Sequence, residues 1–419
     1  MIKNIGKNFI WNAIGSTINA CNSLFFMIIV TRINGVDDAG IFTFAFSLAC
    51  MFYIIGIYSG RTYQVTESDN LITDSDYFYS KIITCFIMII FSILYCIIKK
   101  YDFTKIIIIL SLVVFKSLEA FSEVLYAIIQ KNNKLYKVGK SLFFKSIISV
   151  IVFILIDRFT NNLLFSILSI IIINFTIIIF YDFNNCKKSN FKIEKLNKNH
   201  VIKILKNGFY AFAFAFLTQY VINSPRYAID NFLDNKSQTI FGILIMPATI
   251  IILLGQFIMQ PFLLTLKKYL KEEKSKFFKT TIFLSLIILL LGIIATVVAY
   301  FLGIPFLNLI YNINLNDYVL NLLIIIIGAT LYGITTIIST SLTTMRSTLS
   351  QLIVFIIVSI FSGVMSNVLV KRFLILGATY SYLFTMILLI VLYIVAFIII
   401  FKRYGGNDNG KSNCNIANL

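Results

Sequence analysis

Charge and histidine are scarce in this sequence, and their scarcity argues against a soluble fold. Only 13% of the 419 residues are charged and 59% are apolar, with a mean hydropathy of +0.90. Soluble domains average about 25% charged and about 45–50% apolar residues, so this sequence could not cover the surface of an ordinary water-soluble fold. The single histidine, His200, lies among lysines, which excludes a histidine-centred metal site or acid–base cluster.

Catalytic and metal-binding motifs are missing as well. The six cysteines form no CxxC pair and lie mostly inside apolar runs, so they predict neither a disulfide framework nor a metal site. The sequence contains no Walker loop, no GxSxG and no zinc-ligand set. We therefore predict that the chain is not an enzyme and that it has no catalytic residues and no metal ligands.

Long apolar runs, by contrast, fill the chain. A bilayer crossing needs about 20 apolar residues, and backbone groups in lipid must be paired within the segment, so runs of this length predict α-helices. The predicted fold class is therefore all-α and integral to the membrane, with about twelve transmembrane helices. The runs lie near residues 8–31, 40–60, 80–98, 104–128, 141–157, 162–181, 207–229, 238–264, 280–303, 318–340, 352–370 and 376–401.

A basic stretch divides these runs six and six. Each half opens with a polar-studded helix, a short turn and a Phe-rich helix, at residues 31–46 and 223–247. This similarity favours two parallel six-helix bundles related by a pseudo-two-fold axis along the membrane normal. The predicted parts are an N-terminal bundle (1–183), a basic cytoplasmic linker (184–206), a C-terminal bundle (207–403) and a disordered cytoplasmic tail (404–419).

The net charge of +18 is distributed over the loops. If the termini and the even-numbered loops share one side of the membrane, that side carries 24 lysines and arginines and the other side carries 8. By the positive-inside rule both termini are predicted to be cytoplasmic. Cations clustered between apolar spans are typical of insertion bias and of contact with anionic lipids, so no nucleic-acid partner is expected.

Three charged residues interrupt the fourth run and fall on one face of its helix. Lys116, Glu119 and Glu123 are three and four residues apart, and each would cost about 2.5–3.5 kcal/mol if it faced lipid at the bilayer centre. The face must therefore point to the bundle interior or to a wet cavity. Two interpretations stay open: Lys116 and Glu119 pin two helices together with Glu123 hydrated, or the acids form a proton or cation coupling site beside a substrate-binding lysine.

The seventh run carries Arg226 and Asp230, four residues apart, directly after Pro225. Proline removes one helical hydrogen bond and kinks the helix, which leaves free backbone groups near Asn223. A kinked helix that carries an arginine is typical of a transport pathway. The alternative is an arginine at the outer membrane interface that pairs with Asp230.

Three short stretches and the layout in two halves resemble a known family. The stretches are residues 8–47 with Arg32, Gly35 and Gly40, VLYAIIQKNNKLYKVGKS at 124–141, and NSPRYAID at 223–230 followed by Phe241, Gly242 and Pro247. In these features the chain resembles the bacterial polysaccharide (O-antigen type, Wzx-like) flippases of the multidrug/oligosaccharidyl-lipid/polysaccharide exporter (MOP) superfamily. The layout extends the resemblance over nearly the whole chain.

The resemblance implies a fold like that of the MATE and MurJ transporters and a flippase activity. A polyprenyl-pyrophosphate-linked oligosaccharide, the precursor of O-antigen (lipopolysaccharide) or of capsule, would cross the bacterial inner membrane through a cavity between two bundles by alternating access. Cations along a wet path would hold its pyrophosphate, and arginine suits phosphate because it binds in a bidentate manner. The substrate-binding candidates are Arg226, Arg32, Lys116 and Asn223, and the ion-coupling candidates are Glu119, Glu123 and Asp230.

Partners and alternatives follow from the same resemblance. H⁺ or Na⁺ is the expected coupling ion with no other cofactor, and the expected partners are membrane lipids and the polymerase and chain-length regulator of the same pathway. A multidrug/cation antiporter of the same superfamily is one alternative, although it would need an acidic and aromatic site. A membrane polysaccharide polymerase is the other, but such polymerases carry a long outer loop, and no predicted outer loop here exceeds about 20 residues.

Overall fold

A computed structural model describes residues 2–58, 60–67, 71–189, 191–259 and 262–406, and within these ranges the chain is almost entirely helical and has no strand. The helices of the first half are α1 (Ile2–Ile33), α2 (Val36–Ile57), α3 (Gly60–Val65), α4 (Asp74–Lys99), α5 (Phe103–Lys131), α6 (Leu135–Thr160), α7 (Leu163–Ile177), a π-helical turn (Ile178–Phe183) and α8 (Asn184–Lys187). Those of the second half are α9 (Lys198–Phe232), α10 (Asn235–Leu244), α11 (Met246–Met259), α12 (Leu263–Glu272), α13 (Lys274–Val298), a π-helical turn (Ala299–Gly303), α14 (Ile304–Tyr311), a 3₁₀ turn (Asn316–Tyr318), α15 (Val319–Thr344) and α16 (Thr348–Gly406).

Ten helices in the described part of the chain are long and apolar enough to cross a membrane. Helix α5 is also long enough, with 29 residues, but its charges keep it outside that set. Helix α16 joins two of the predicted runs across Leu374, whose φ of 54° is not helical. Each predicted run overlaps a helix, so the all-α membrane fold is confirmed. Of the predicted tail, residues 407–419 lie outside the described residues.

The contacts between Cα atoms divide the chain into two compact units. The first comprises Met1–Ile243 with Ile310–Asn312, and the second comprises Leu244–Leu309 with Ile313–Leu419. Helix α9 clusters with the first unit because it packs on α2 and α4. The division into two six-helix bundles around the basic linker stays a prediction.

The first unit is held together by close helix packing and by aromatic side chains. A Cβ atom added to Gly15 of α1 would lie 2.1 Å from the carbonyl oxygen of Gly139 of α6, so these two backbones touch, as small residues allow in membrane helices. Phe26, Phe42 and Phe153 meet in the core, with ring centres of Phe26 and Phe153 4.9 Å apart. Helices α1, α2 and α6 thus enclose one side of the unit.

The second unit is built around α15, which packs on α11, α13 and α16. Its buried polar side chains are uncharged and bond to one another: Gln351 accepts a hydrogen bond of 2.6 Å from Ser339 and donates one of 3.0 Å to Thr343. The buried charged side chains of the described chain all lie in the first unit, and they are Asp76, Lys81, Lys145, Asp157 and Asp182. Charge-based chemistry within the described membrane helices is therefore concentrated in the first unit.

Candidate functional site

The charged face of α5 consists of Lys116, Glu119 and Glu123, which we call the α5 charge stripe. Lys116 Nζ lies 2.7 Å from Glu119 Oε2, an i,i+3 pair that helix geometry allows. The ammonium also lies 4.7 Å from the ring centre of Phe46 and 5.7 Å from that of Tyr53, both on α2, within the range of a cation–π contact. The stripe therefore faces α2 in the interior of the first unit.

Glu123, the last member of the stripe, has a partner that its sequence position does not reveal. Arg61 Nε lies 3.6 Å from Glu123 Oε2, close enough for an ion pair but too far for a hydrogen bond. Arg61 belongs to α3, which follows a break in α2 where Tyr58 and Gly60 have φ of 46° and 71°. Because α3 packs on α5, the break brings Arg61 to Glu123, and the carboxylate is compensated as well as partly exposed.

Asp230 of α9 is held by α5 and the turn before it. Its carboxylate contacts Lys105 Nζ and accepts a hydrogen bond of 2.6 Å from the Tyr101 hydroxyl. Burial, and secondly this carboxylate, raise the pKa of Tyr101 above its ordinary value of 10.0, so the hydroxyl stays a donor. The Arg226–Asp230 pair that the spacing allowed is absent from the described structure.

The guanidinium of Arg226 is left without an acidic partner among the described residues. Its Nη1 donates a long hydrogen bond of 3.4 Å to Asn223 Oδ1, and its Nε is buried with no hydrogen-bond partner. Burial of an unpaired donor on a charged group is unfavourable. An acceptor that reaches this guanidinium would therefore gain a strong interaction.

The backbone around Arg226 is held by its neighbours in spite of the proline. Pro225 cannot donate to the carbonyl oxygen of Val221, and the Ser224 hydroxyl donates to that oxygen instead, at 3.2 Å. Gln238 Nε2 donates to the carbonyl oxygen of Arg226 at 2.9 Å. These bonds fix the position from which the guanidinium projects.

The predicted substrate-binding residues fall in two places. Lys116 lies against Phe46 and Tyr53 of α2. Tyr227, which directly follows Arg226, donates a hydrogen bond of 3.3 Å to Met51 Sδ of the same helix. Lys116 and Arg226 therefore lie on elements that contact the same stretch of α2, and Asn223 contacts Arg226. Arg32 is exposed at the end of α1, where its Nε donates a hydrogen bond of 2.6 Å to the carbonyl oxygen of Ile310. Arg32 is therefore engaged with the main chain at that position.

A buried carboxylate that the spacing analysis missed lies near the end of α6. Asp157 is 0% exposed and accepts hydrogen bonds from Asn34 Nδ2 at 3.1 Å and Ser166 Oγ at 2.9 Å. Its Oδ2 is buried without a partner, and no lysine or arginine of the described chain pairs with it. In the sequence Asp157 closes an apolar run beside a loop, which makes it look like a surface residue.

The sequence also does not reveal a buried ion pair between Lys145 and Asp182. Lys145 Nζ of α6 lies 2.7 Å from Asp182 Oδ2 in the π-helical turn, and the two side chains are 6% and 0% exposed. The signal in the sequence was a lone lysine inside the fifth apolar run, but nothing local indicates its partner.

The arrangement suits the binding of an anion. Among the described residues Arg226 has no counter-ion. Lys116 has one that a phosphate group can replace, because both carboxylate and phosphate accept charge-assisted hydrogen bonds. No cluster of three or more histidine, cysteine, aspartate or glutamate residues that could hold a metal occurs in the part of the chain that the structure describes.

Comparison with known proteins finds a relative in capsule biosynthesis. No family model matches the chain. A curated relative, the capsular polysaccharide biosynthesis protein CapF of Staphylococcus aureus, is 27% identical over 349 residues, which cover 80% of this chain and 85% of the relative.

Solved structures of the same fold are MOP-type transporters. The lipid II flippase MurJ in an inward closed conformation has a TM-score of 0.69 at 16% identity, over 96% of this chain and 94% of MurJ. An inward-facing multidrug resistance MATE family transporter of the MOP superfamily has a TM-score of 0.67 at 12% identity, over 94% of this chain and 98% of the transporter. The chain is therefore a multi-pass membrane protein with the fold of the MOP transporters, which are not enzymes, and its predicted resemblance to the polysaccharide flippases of that superfamily is confirmed.

Proposed function

We propose that the chain is a flippase for a polyprenyl-pyrophosphate-linked oligosaccharide, the precursor of a capsule or O-antigen. It carries this lipid from the cytoplasmic to the outer leaflet of the bacterial cytoplasmic membrane by alternating access, with both termini in the cytoplasm. An H⁺ or Na⁺ gradient drives the cycle, and the polymerase and chain-length regulator of the same pathway receive the product. The capsular relative and the lipid II flippase neighbour support a lipid-linked substrate.

The observation that carries the proposal is the unpaired guanidinium of Arg226. A membrane charge is expensive and usually functional. The buried Nε of Arg226 has no hydrogen-bond partner, and no carboxylate in the described ranges forms an ion pair with its guanidinium. A diphosphate carries two adjacent anionic groups that match the planar fork of arginine. Asn223 orients the fork through its 3.4 Å contact with Nη1.

Lys116 supplies the second cation, and its partner supplies the coupling. In the absence of substrate Glu119 neutralises Lys116 at 2.7 Å. When a phosphate takes the place of Glu119, the freed carboxylate takes up H⁺ or Na⁺, because an uncompensated buried carboxylate is unstable. Glu123 and Asp230 have cationic partners of their own and follow the same rule if those partners move.

The test is the location of single lipid-linked repeat units after the protein is depleted from its native cell. We expect the units to accumulate and to stay shielded from a membrane-impermeant probe added outside. Cells are then complemented with the wild-type chain, Arg226→Ala, Arg226→Lys or the control Arg158→Ala, whose arginine is exposed on α6. Arg226→Ala should restore little export at normal membrane abundance, Arg226→Lys part of it, and Arg158→Ala all of it.

Three other results would contradict the flippase activity or the role of Arg226 in it. Units that reach the outer face but stay unpolymerised after depletion would contradict a flippase and favour a polymerase. An unchanged pool would contradict it as well and favour an antiporter of drugs or cations. Normal export by Arg226→Ala at normal abundance would remove Arg226 from the substrate site.

A further inference from the structure

The Lys145–Asp182 pair is the most completely buried ion pair of the described chain, and the proposed transport cycle does not use it. All three protons of the Lys145 ammonium have acceptors: Asp182 Oδ2 at 2.7 Å, Ser122 Oγ at 2.7 Å and the Tyr126 hydroxyl at 3.0 Å. Tyr126 in turn lies 3.0 Å from Ser141 Oγ. The network is closed to bulk solvent, since the exposure of Lys145 and Asp182 is 6% and 0%.

Such a pair is not needed to hold helices together. Well-packed apolar side chains of similar volume stabilise a protein interior as well as a buried ion pair does, or better. Charges inside a membrane protein are therefore functional by default. The pair needs a role beyond adhesion, and its contacts indicate which one.

Two of the three acceptors of Lys145, Ser122 and Tyr126, lie on α5 beside the α5 charge stripe. Ser122 directly precedes Glu123, and Tyr126 follows Glu123 by one helical turn. The Ser122 hydroxyl donates to the carbonyl oxygen of Leu118 at 2.8 Å, so its lone pairs are free to accept from Lys145. The ammonium thus contacts two consecutive turns of α5 on the flank of the stripe.

The other end of the network is set by a helix irregularity. Asp182 lies in the π-helical turn Ile178–Phe183, which lies between α7 and α8. A π-helical turn adds one residue to a turn and changes the direction of the side chains beyond it, and such turns are frequent at functional sites. This local geometry presents Asp182 to α6 and to Lys145.

We propose that Lys145 and Asp182 are positioning residues that fix the rotation and height of α5, and through it the position of Lys116 for the substrate phosphate. The inference rests on the proposed function, because Lys116 must bind substrate for its position to matter. Lys145 is the link between α6 and α5, and its contact with Asp182 directs its ammonium group at Ser122 and Tyr126. A charged donor gives these two hydrogen bonds about twice the strength of neutral ones.

The test replaces the pair by apolar residues, as Lys145→Met with Asp182→Leu. This double variant leaves no unpaired charge and should keep the melting temperature of the purified protein near that of the wild type. We expect its half-saturating concentration of lipid-linked oligosaccharide, measured in proteoliposomes, to rise about tenfold. The matched control is Lys276→Met with Glu273→Leu, an exposed pair of the same 2.7 Å separation in the second unit, which should leave the value unchanged.

A double-mutant cycle with Lys116→Met identifies the route of the effect. If the pair acts through Lys116, the tenfold rise should largely vanish in the Lys116→Met background. A rise that persists there at full size would contradict the proposal, and so would a wild-type half-saturation in the double variant with normal melting.

Two smaller changes keep the proposal testable if the double variant does not fold. Ser122→Ala and Tyr126→Phe leave the ion pair intact and remove only its contacts with α5. Each should raise the half-saturating concentration in the same direction but by less, and an unchanged value for both would overturn the proposal. Failure of the proposed function is recognised separately, because then the wild-type chain moves no lipid-linked oligosaccharide or Lys116→Met transports normally.

Discussion

Lys105 at the start of α5 holds the carboxylate of Asp230 near the end of α9. The two residues are 125 positions apart in the sequence, so their contact joins two distant helices. Because Lys105 takes the carboxylate, Arg226, one helical turn earlier on α9, keeps its charge uncompensated. The availability of Arg226 for an anion thus depends on a lysine of another helix.

The first prediction concerns this pair. Asp230→Asn leaves Lys105 without its counter-ion in a mostly buried position, with side-chain exposure of 13% for the lysine. Removal of one partner of a buried pair costs about 3–5 kcal/mol, so we expect the free energy of unfolding in detergent to fall by an amount in the lower part of that range. Adding Lys105→Met to Asp230→Asn should restore most of it. An Asp230→Asn variant as stable as the wild type would show that the pair contributes nothing to the fold.

The parts of this site that follow from sequence are those that local geometry decides. Apolar length predicts the membrane helices because each helix must satisfy its own backbone in lipid. The i,i+3 spacing of Lys116 and Glu119 predicts that they can pair, and the structure has that pair at 2.7 Å. Pro225 predicts the loss of one helical hydrogen bond in α9, but the backbone groups are not free, because the Ser224 hydroxyl donates to the Val221 carbonyl oxygen instead.

The partners from distant helices could not be predicted in the same way. Arg61 reaches Glu123 only because α2 breaks at Tyr58, and no residue pattern indicates where the short α3 then packs. Helical periodicity predicts on which face of its own helix a side chain lies, but it does not predict which other helix packs against that face. The same limit hid the partner of Lys145, since a π-helical turn shifts the register on which face prediction relies.

A second prediction compares two aspartates that are both 0% exposed, Asp157 and Asp182. Asp182→Asn removes the counter-ion of Lys145 and should lower the free energy of unfolding by about 3–5 kcal/mol. Asp157→Asn removes a carboxylate that forms no ion pair with a described lysine or arginine, and asparagine can still accept from Asn34 and Ser166. We expect that variant to be as stable as the wild type or more stable, by up to about 3 kcal/mol. Equal losses in the two variants would mean that Asp157 has a counter-charge.

The third prediction tests the backbone contact between α1 and α6. A Cβ atom on Gly139 would lie 2.1 Å from the carbonyl oxygen of Trp11, and neither helix can give way without losing its packing. Gly139→Ala should therefore destabilise the chain by at least about 1–3 kcal/mol, the usual cost of overpacking, and should reduce the amount of monodisperse protein in size-exclusion chromatography. Gly6→Ala is the control on the same helix pair, since nothing lies within 4 Å of an added Cβ there. Comparable yields of both variants would refute the close contact.

The fourth prediction separates binding from coupling at the α5 charge stripe. Glu119 and a substrate phosphate compete for Lys116, so Glu119→Gln should remove the competitor's charge and lower the half-saturating concentration of lipid-linked oligosaccharide severalfold. The same change removes the carboxylate that takes up H⁺ or Na⁺, and transport should no longer respond to collapse of either gradient. The measurement is uptake into proteoliposomes with and without an imposed gradient. The control is Glu273→Gln, which changes an exposed acid of the second unit.

If Glu119→Gln keeps the wild-type gradient dependence, Glu119 is not the coupling acid. If its half-saturating concentration is also unchanged, the pairing with Lys116 is structural, which would leave Arg226 as the anion-binding group of the site.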